Sequence, residues 1–140
     1  MLFRSIDVDI LVNNAGIIDV GPFVDAAPEK LQQLIALNIA ASTALTSLLL
    51  PPMIERKFGR ILNVASTAAW LGIPQQNVYA ASKAYVVSFT LALEDEVRSK
   101  GRGVSVTALC PSYTRTKMLD NPEQGKKLSV PEAQIGRAHV

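Results

Sequence analysis

The chain has 140 residues, 49% of them hydrophobic and 19% charged, and its 14 Lys and Arg against 12 Asp and Glu give a net charge of +2. This is the composition of one globular domain, or of part of a larger one, and without a basic stripe interleaved with aromatics it excludes nucleic acid as the expected partner. The single cysteine, Cys110, excludes an internal disulfide and suits a reducing compartment.

The N-terminal "MLFRSIDVD" has no apolar core of signal-peptide length, and apolar stretches such as "LLLPPMI" are too short to span a bilayer. A cytoplasmic protein with no membrane span is therefore expected. The first predicted strand is "VDILVNNAG" (8–16), nearly continuous in apolar residues, as a strand buried on both faces reads. A helical pattern follows over 28–50, opened by Pro28 and Glu29, with an apolar stripe of Leu31, Leu34, Ile35, Ala41, Leu45, Leu48 and Leu49. Asn38 interrupts that stripe, where a polar amide costs free energy unless it is hydrogen-bonded. Pro51 and Pro52 are expected to disturb or end this helix. The second strand is "RILNVAS" (60–66). A second helix over about 77–100 carries Val86, Phe89, Leu93 and Val97, and Gly101 and Gly103 mark its end. The third strand is "VSVTALC" (104–110). Strand, helix, strand, helix, strand predicts an α/β fold with right-handed crossovers and helices on both faces of a parallel sheet.

Open parallel sheets bind ligands outside the carboxyl ends of their strands. Those ends here are Asn13, Asn14, Ala15 and Gly16; Ser66; and the run from Cys110 to Thr114. Tyr79 and Lys83 stand four apart near the start of the helix after the second strand, a spacing that puts both on one face. A lone Tyr-x-x-x-Lys is a weak signal, since Tyr79 also reads as a helix-start residue, Lys83 as a solvated charge and Ser66 as a turn former.

The segments "NNAG", "LNIA", "NVAS", "YAASK" and "CPSYTRT" together resemble the short-chain dehydrogenase/reductase family in order and spacing, over about residues 7 to 120. The resemblance implies a partial Rossmann-type, doubly wound parallel sheet made of the family's fourth to sixth strands. It also implies a catalytic tetrad of Asn38, Ser66, Tyr79 and Lys83. Tyr79 would be the acid in carbonyl reduction and the base in alcohol oxidation. Free tyrosine titrates near 10, and a neighbouring Lys83 ammonium would favour the phenolate. Ser66 would donate to the substrate oxygen. Asn38, through a water, would hold Lys83 in a proton relay, or else bond a backbone group. By the same resemblance, Asn14, Ala15, Gly16, Tyr79, Lys83, Pro111, Thr114 and Thr116 would contact NAD or NADP. The substrate would be a small alcohol or carbonyl compound, and the full-length parent a homo-oligomer. Trp70 and Leu71 would line the substrate pocket or simply pack, and Val86–Phe89–Leu93 would face the core or a dimer partner. Cys110 reads as a small buried hydrophobe.

The chain departs from the family pattern in places. It has no TGxxxGxG turn to hold a pyrophosphate, so residues 1–134 read as the C-terminal part of a nucleotide-binding domain. Ser112 stands where the family has glycine, and Ala65 where serine is frequent. The closing "IGRAHV" (135–140) reads as a translated sequencing adapter, which would leave His139 without a role. A catalytically inert fragment or dimerisation module is the competing expectation for this chain.

Overall fold

The computed structural model describes residues 7–99 and 103–112. Three strands, β1 (Ile10–Asn13), β2 (Gly59–Val64) and β3 (Val104–Leu109), form a parallel sheet in the order β1-β2-β3. Ile10 pairs with Arg60 and Asn13 with Asn63, while Gly59 pairs with Val104 and Val64 with Leu109. Each crossover is helical. The first runs through α1 (Pro28–Ile35), a π-helical segment (Ala36–Ala41) and α2 (Ser42–Glu55); the second is α3 (Asn77–Ser99).

The α/β reading holds, but α2 and α3 pack on the same face of the sheet. Thr46 of α2 and Thr90 of α3 both reach side chains on one side of the strands, Asn13 and Asn63 respectively. Two right-handed crossovers stepping in the same direction along a sheet must lie on one side. That shared layer holds the core: Leu49 and Met53 from α2, Ile61 from β2, Val97 from α3, and Val104 and Val106 from β3. On the opposite face Ile10 and Val12 stay 64% and 52% exposed, so among the described residues β1 is not buried on both sides.

The first crossover is longer than the sequence pattern suggested, because α2 passes through Pro51 and Pro52 to Glu55. Each proline removes one N–H from the helical ladder, which would deprive the carbonyls of Ser47 and Leu48. Both residues are exposed, so solvent can satisfy those carbonyls. The continuous helix Pro28–Glu55 has 28 residues and a mean hydropathy of 1.7 over its most apolar window, long and apolar enough to cross a bilayer. This corrects the expectation that no stretch is long enough. Leu34, Asn38, Thr46, Leu49 and Met53, at helical spacing, are nonetheless buried. That is the pattern of a helix covering a sheet.

The turns into β2 and β3 interlock. Gly103 has φ +68, and a Cβ there would meet the Lys57 carbonyl oxygen. Only glycine combines that backbone angle with such a close approach.

Candidate active site

The carboxyl ends of the strands and the first turn of α3 surround one cavity of about 370 Å³. Ser66 enters it directly after β2. Its backbone is extended, and its Oγ accepts the Ala68 N–H at 3.1 Å, capping a short 3-10 turn, Thr67–Trp70. An accepting hydroxyl keeps its own proton for another acceptor, so the turn-forming role and a donor role coexist here. Pro111 accepts the Thr67 N–H at 3.0 Å, which draws the segment after β3 against Ser66.

Tyr79 and Lys83 both line the cavity from α3. Lys83 is only 6% exposed, and its Nζ donates to the Val64 carbonyl at 2.8 Å. The ammonium also lies 5.7 Å from the centre of the Tyr79 ring. Burial pushes the Lys83 amine below its ordinary 10.5, because loss of water penalises the charged form. One donated bond leaves two N–H groups for other acceptors.

Asn38 lies behind the wall of the cavity, 3% exposed, inside the π-helical segment. Its Oδ1 accepts the Ile17 N–H at 2.9 Å, while Nδ2 donates to the Ile17 carbonyl at 3.0 Å and to Ser82 Oγ at 3.0 Å. Ser82 in turn donates to the Tyr79 carbonyl at 2.7 Å. Asn38 therefore ties the loop after β1 to the turn of α3 that carries Tyr79, and both its N–H groups are used. The widened turn also exposes carbonyls: Ser42 Oγ bonds the carbonyls of Asn38 and Ile39, and Thr43 Oγ1 bonds Ile39 again. Gly16 closes the arrangement, since a Cβ there would stand 3.2 Å from Asn38 Oδ1 and 3.6 Å from Lys83 Nζ.

Of the residues expected at the site, Asn14, Gly16, Ser66, Tyr79, Lys83 and Pro111 line the cavity together. Ala15 does not line it, and Thr114 and Thr116 lie outside the described residues, as do 135–140. Ser112, at the position of the family's glycine, is part of the wall. Leu71 lines the cavity, whereas Trp70 is 66% exposed and does not. Val86 is buried in the core with Ala65 and Val87, and Cys110 packs against the same group. Sequence reasoning missed Ile18, Ile73 and Gln76 of the lining, and Ser82 as the link to Asn38. Ser82 sits within the "ASK" already singled out, one position before Lys83, and its helix position four residues after Val78 gave no polar signal. Gln76 precedes Tyr79 by three residues, one helical turn, and that spacing was a usable sign.

A parallel sheet thus brings Ser66, Tyr79 and Lys83 together at its carboxyl rim. The chain belongs to the short chain dehydrogenase family, whose model matches residues 4–127. Ketoacyl reductase HetN of Nostoc sp. is 42% identical over 106 residues, which cover 76% of this chain and 36% of that protein. Inactive hydroxysteroid dehydrogenase-like protein 1 of Homo sapiens is 40% identical over 114 residues, 80% of this chain and 34% of that one. A short-chain dehydrogenase from Sphingobium yanoikuyae, solved in complex with NADPH, matches with a TM-score of 0.80 at 32% identity, covering 89% of this chain and 48% of its own. The chain thus spans half or less of the length of these proteins.

Proposed function

We propose that the protein carrying this chain is an NAD(P)-dependent oxidoreductase acting on a hydroxyl or carbonyl group, with Tyr79 as its acid and base. The observation that carries the reading is the meeting of Ser66, Tyr79 and Lys83, from two different elements, around one cavity. The residues present suit a nicotinamide cofactor. Gly16 opens space beside Lys83 that a Cβ would fill, and Lys83 keeps N–H groups free for ribose hydroxyls. When bound, such a cofactor supplies or accepts the hydride. Asn14, Gly16, Lys83 and Pro111 would hold it, with Ala15, Thr114 and Thr116 proposed alongside from the family pattern.

In reduction, Ser66 donates a hydrogen bond to the carbonyl oxygen as charge builds there, and Tyr79 gives that oxygen its phenolic proton. In oxidation the Tyr79 phenolate takes the hydroxyl proton back. The Lys83 ammonium favours that phenolate by its charge at short range. Asn38 acts as a positioning residue rather than as a side-chain relay, because its amide already holds Ile17 and Ser82. A cytosolic homo-oligomer acting on a small, largely apolar substrate completes the reading. Residues 1–134 are then the C-terminal part of the nucleotide-binding domain, and 135–140 an adapter-derived end.

A second reading is favoured by the exposed face of β1, where Ile10 and Val12 lie open, and by the human relative whose name calls it inactive. On that reading the 140-residue chain is inert, or pairs with other chains through that face. One experiment separates the two: oxidation of NADH and NADPH followed with a panel of aldehydes and ketones, for the chain and for Tyr79→Phe. Turnover that falls about 100-fold or more in Tyr79→Phe is the expected result. Equal rates in both would overturn the role of Tyr79, and no turnover with any carbonyl would favour the inert reading.

A further inference from the structure

We propose that Gln76 is a specificity residue of this cavity, whose side-chain amide binds a second, uncharged oxygen of the substrate, a hydroxyl or carbonyl next to the reacting carbon. The inference rests on the oxidoreductase reading of the same site.

Gln76 is 5% exposed and lines the cavity, yet its amide makes no hydrogen bond to any described residue. A buried primary amide without partners is costly, and the buried polar side chains around it are paired. Asn38, Asn63, Ser82, Lys83 and Thr90 all have bonds at or below 3.0 Å. The exception therefore faces a cavity in which a ligand can supply the missing partner.

The backbone presents Gln76 rigidly. Its N–H donates to the Ile73 carbonyl at 3.1 Å, and its carbonyl accepts the Ala80 N–H at 2.8 Å. The preceding Gln75 holds φ 66, a left-handed angle uncommon outside glycine, and its carbonyl accepts the Gly21 N–H at 2.9 Å. Gln76, just before α3, precedes Tyr79 by three positions, about one helical turn, so both side chains rise from one side of the start of the helix. A group bound by Gln76 thus lies close to the oxygen that Tyr79 protonates.

The cavity also decides the charge of that group. Its described lining has no Asp, Glu, Arg or His, and its one cation, Lys83, already bonds Val64. An ammonium at Gln76 would lose its water without gaining a counter-charge, and a carboxylate would compete for Lys83 with the ribose hydroxyls that the oxidoreductase reading assigns to it. A neutral hydroxyl or carbonyl loses less, and the amide can both donate to it and accept from it.

The test compares 1-hydroxy-2-butanone with 3-pentanone, which replaces the hydroxyl by a methyl of similar size. Binding of each to the 15N-labelled full chain is titrated by NMR, and the same titrations are run on Gln76→Leu. The expected result is binding of the hydroxyketone about tenfold tighter, the gain of one well-placed hydrogen bond. That ligand alone shifts the Gln76 side-chain amide resonance, and Gln76→Leu binds the two ketones alike. Equal binding by the unaltered chain, binding of neither, or a preference that survives in Gln76→Leu would overturn the proposal. The resonance shift is read on the unaltered chain, so a misfolded variant leaves the test intact. Hydride transfer is assayed separately. A Gln76-dependent preference without turnover would sink the oxidoreductase reading alone, and turnover without the preference would sink this one alone.

Discussion

Lys83 is the residue in which stability and chemistry meet. Its burial lowers the pKa from the ordinary 10.5 of the unfolded chain, so between the folded value and 10.5 the unfolded state binds more protons. Stability therefore rises with pH across that window, and the penalty of a buried charge is fully present below it. Urea unfolding at a series of alkaline pH values should show this climb, and Lys83→Met should flatten it. A slope unchanged in Lys83→Met would mean that Lys83 titrates alike in both states. No carboxylate stands beside Lys83 to offset that penalty: none of the described residues lining the cavity is acidic. Asn38 shows the other use of a buried polar group. It makes three hydrogen bonds to two segments, which offsets the cost of an amide on an apolar stripe.

Among the elements, β1, β2, α2 and α3 are joined by a polar chain through the core layer. Asn13 Nδ2 donates to Thr46 Oγ1 at 3.1 Å and to Asn63 Oδ1 at 2.8 Å; Asn63 Nδ2 donates to Thr90 Oγ1 at 2.9 Å, and Thr90 donates to the Val86 carbonyl at 2.6 Å. Asn63 is 1% exposed, so removing its amide strands Asn13 and leaves a void. We expect Asn63→Ala to cost about 2–4 kcal/mol, measured by urea unfolding. A loss below about 0.5 kcal/mol would mean that solvent reaches the network. The chain fixes the relative height of both helices on the sheet, and with it the position of Tyr79 against Ser66. At the outer edge, Glu94 of α3 accepts the Val106 N–H of β3 at 2.6 Å, covering part of an edge that would otherwise be open to pairing.

Among the described residues, one sheet face carries the helices and the core, and the other carries exposed Ile10 and Val12, with Leu109 47% exposed at the far strand. By the register this face also carries Arg60, Ser105 and Thr107, so its exposed apolar surface is concentrated on β1. Such a strand is a surface for association. The 140-residue chain should self-associate through it. Replacing Ile10 and Val12 together by Lys should shift sedimentation toward the monomer while the circular dichroism stays helical. Unchanged association in that variant would place the contact elsewhere, on a surface such as exposed Leu45, Leu48 or Leu91 of the helices.

Apolar runs alone determined the α/β class and the three strands, to within two residues of their ends except that the first run extends to Gly16 where β1 stops at Asn13. Ser66, Tyr79 and Lys83 became a group only through the resemblance to the family's motifs. These are legible because burial on a sheet imposes apolar runs and because chemistry at a strand end needs polar residues at fixed spacings. The tertiary structure decided what depends on contacts distant in sequence. It put both helices on one face, since handedness and strand order act together. It carried α2 through two prolines, because packing outweighs two lost hydrogen bonds whose partners are solvated. It turned Asn38 toward Ile17 and Ser82, 21 and 44 residues away. It also left Gln76 buried without a partner in the described structure, for a side chain's bonds are set by what the fold brings near it and not by its neighbours in the chain.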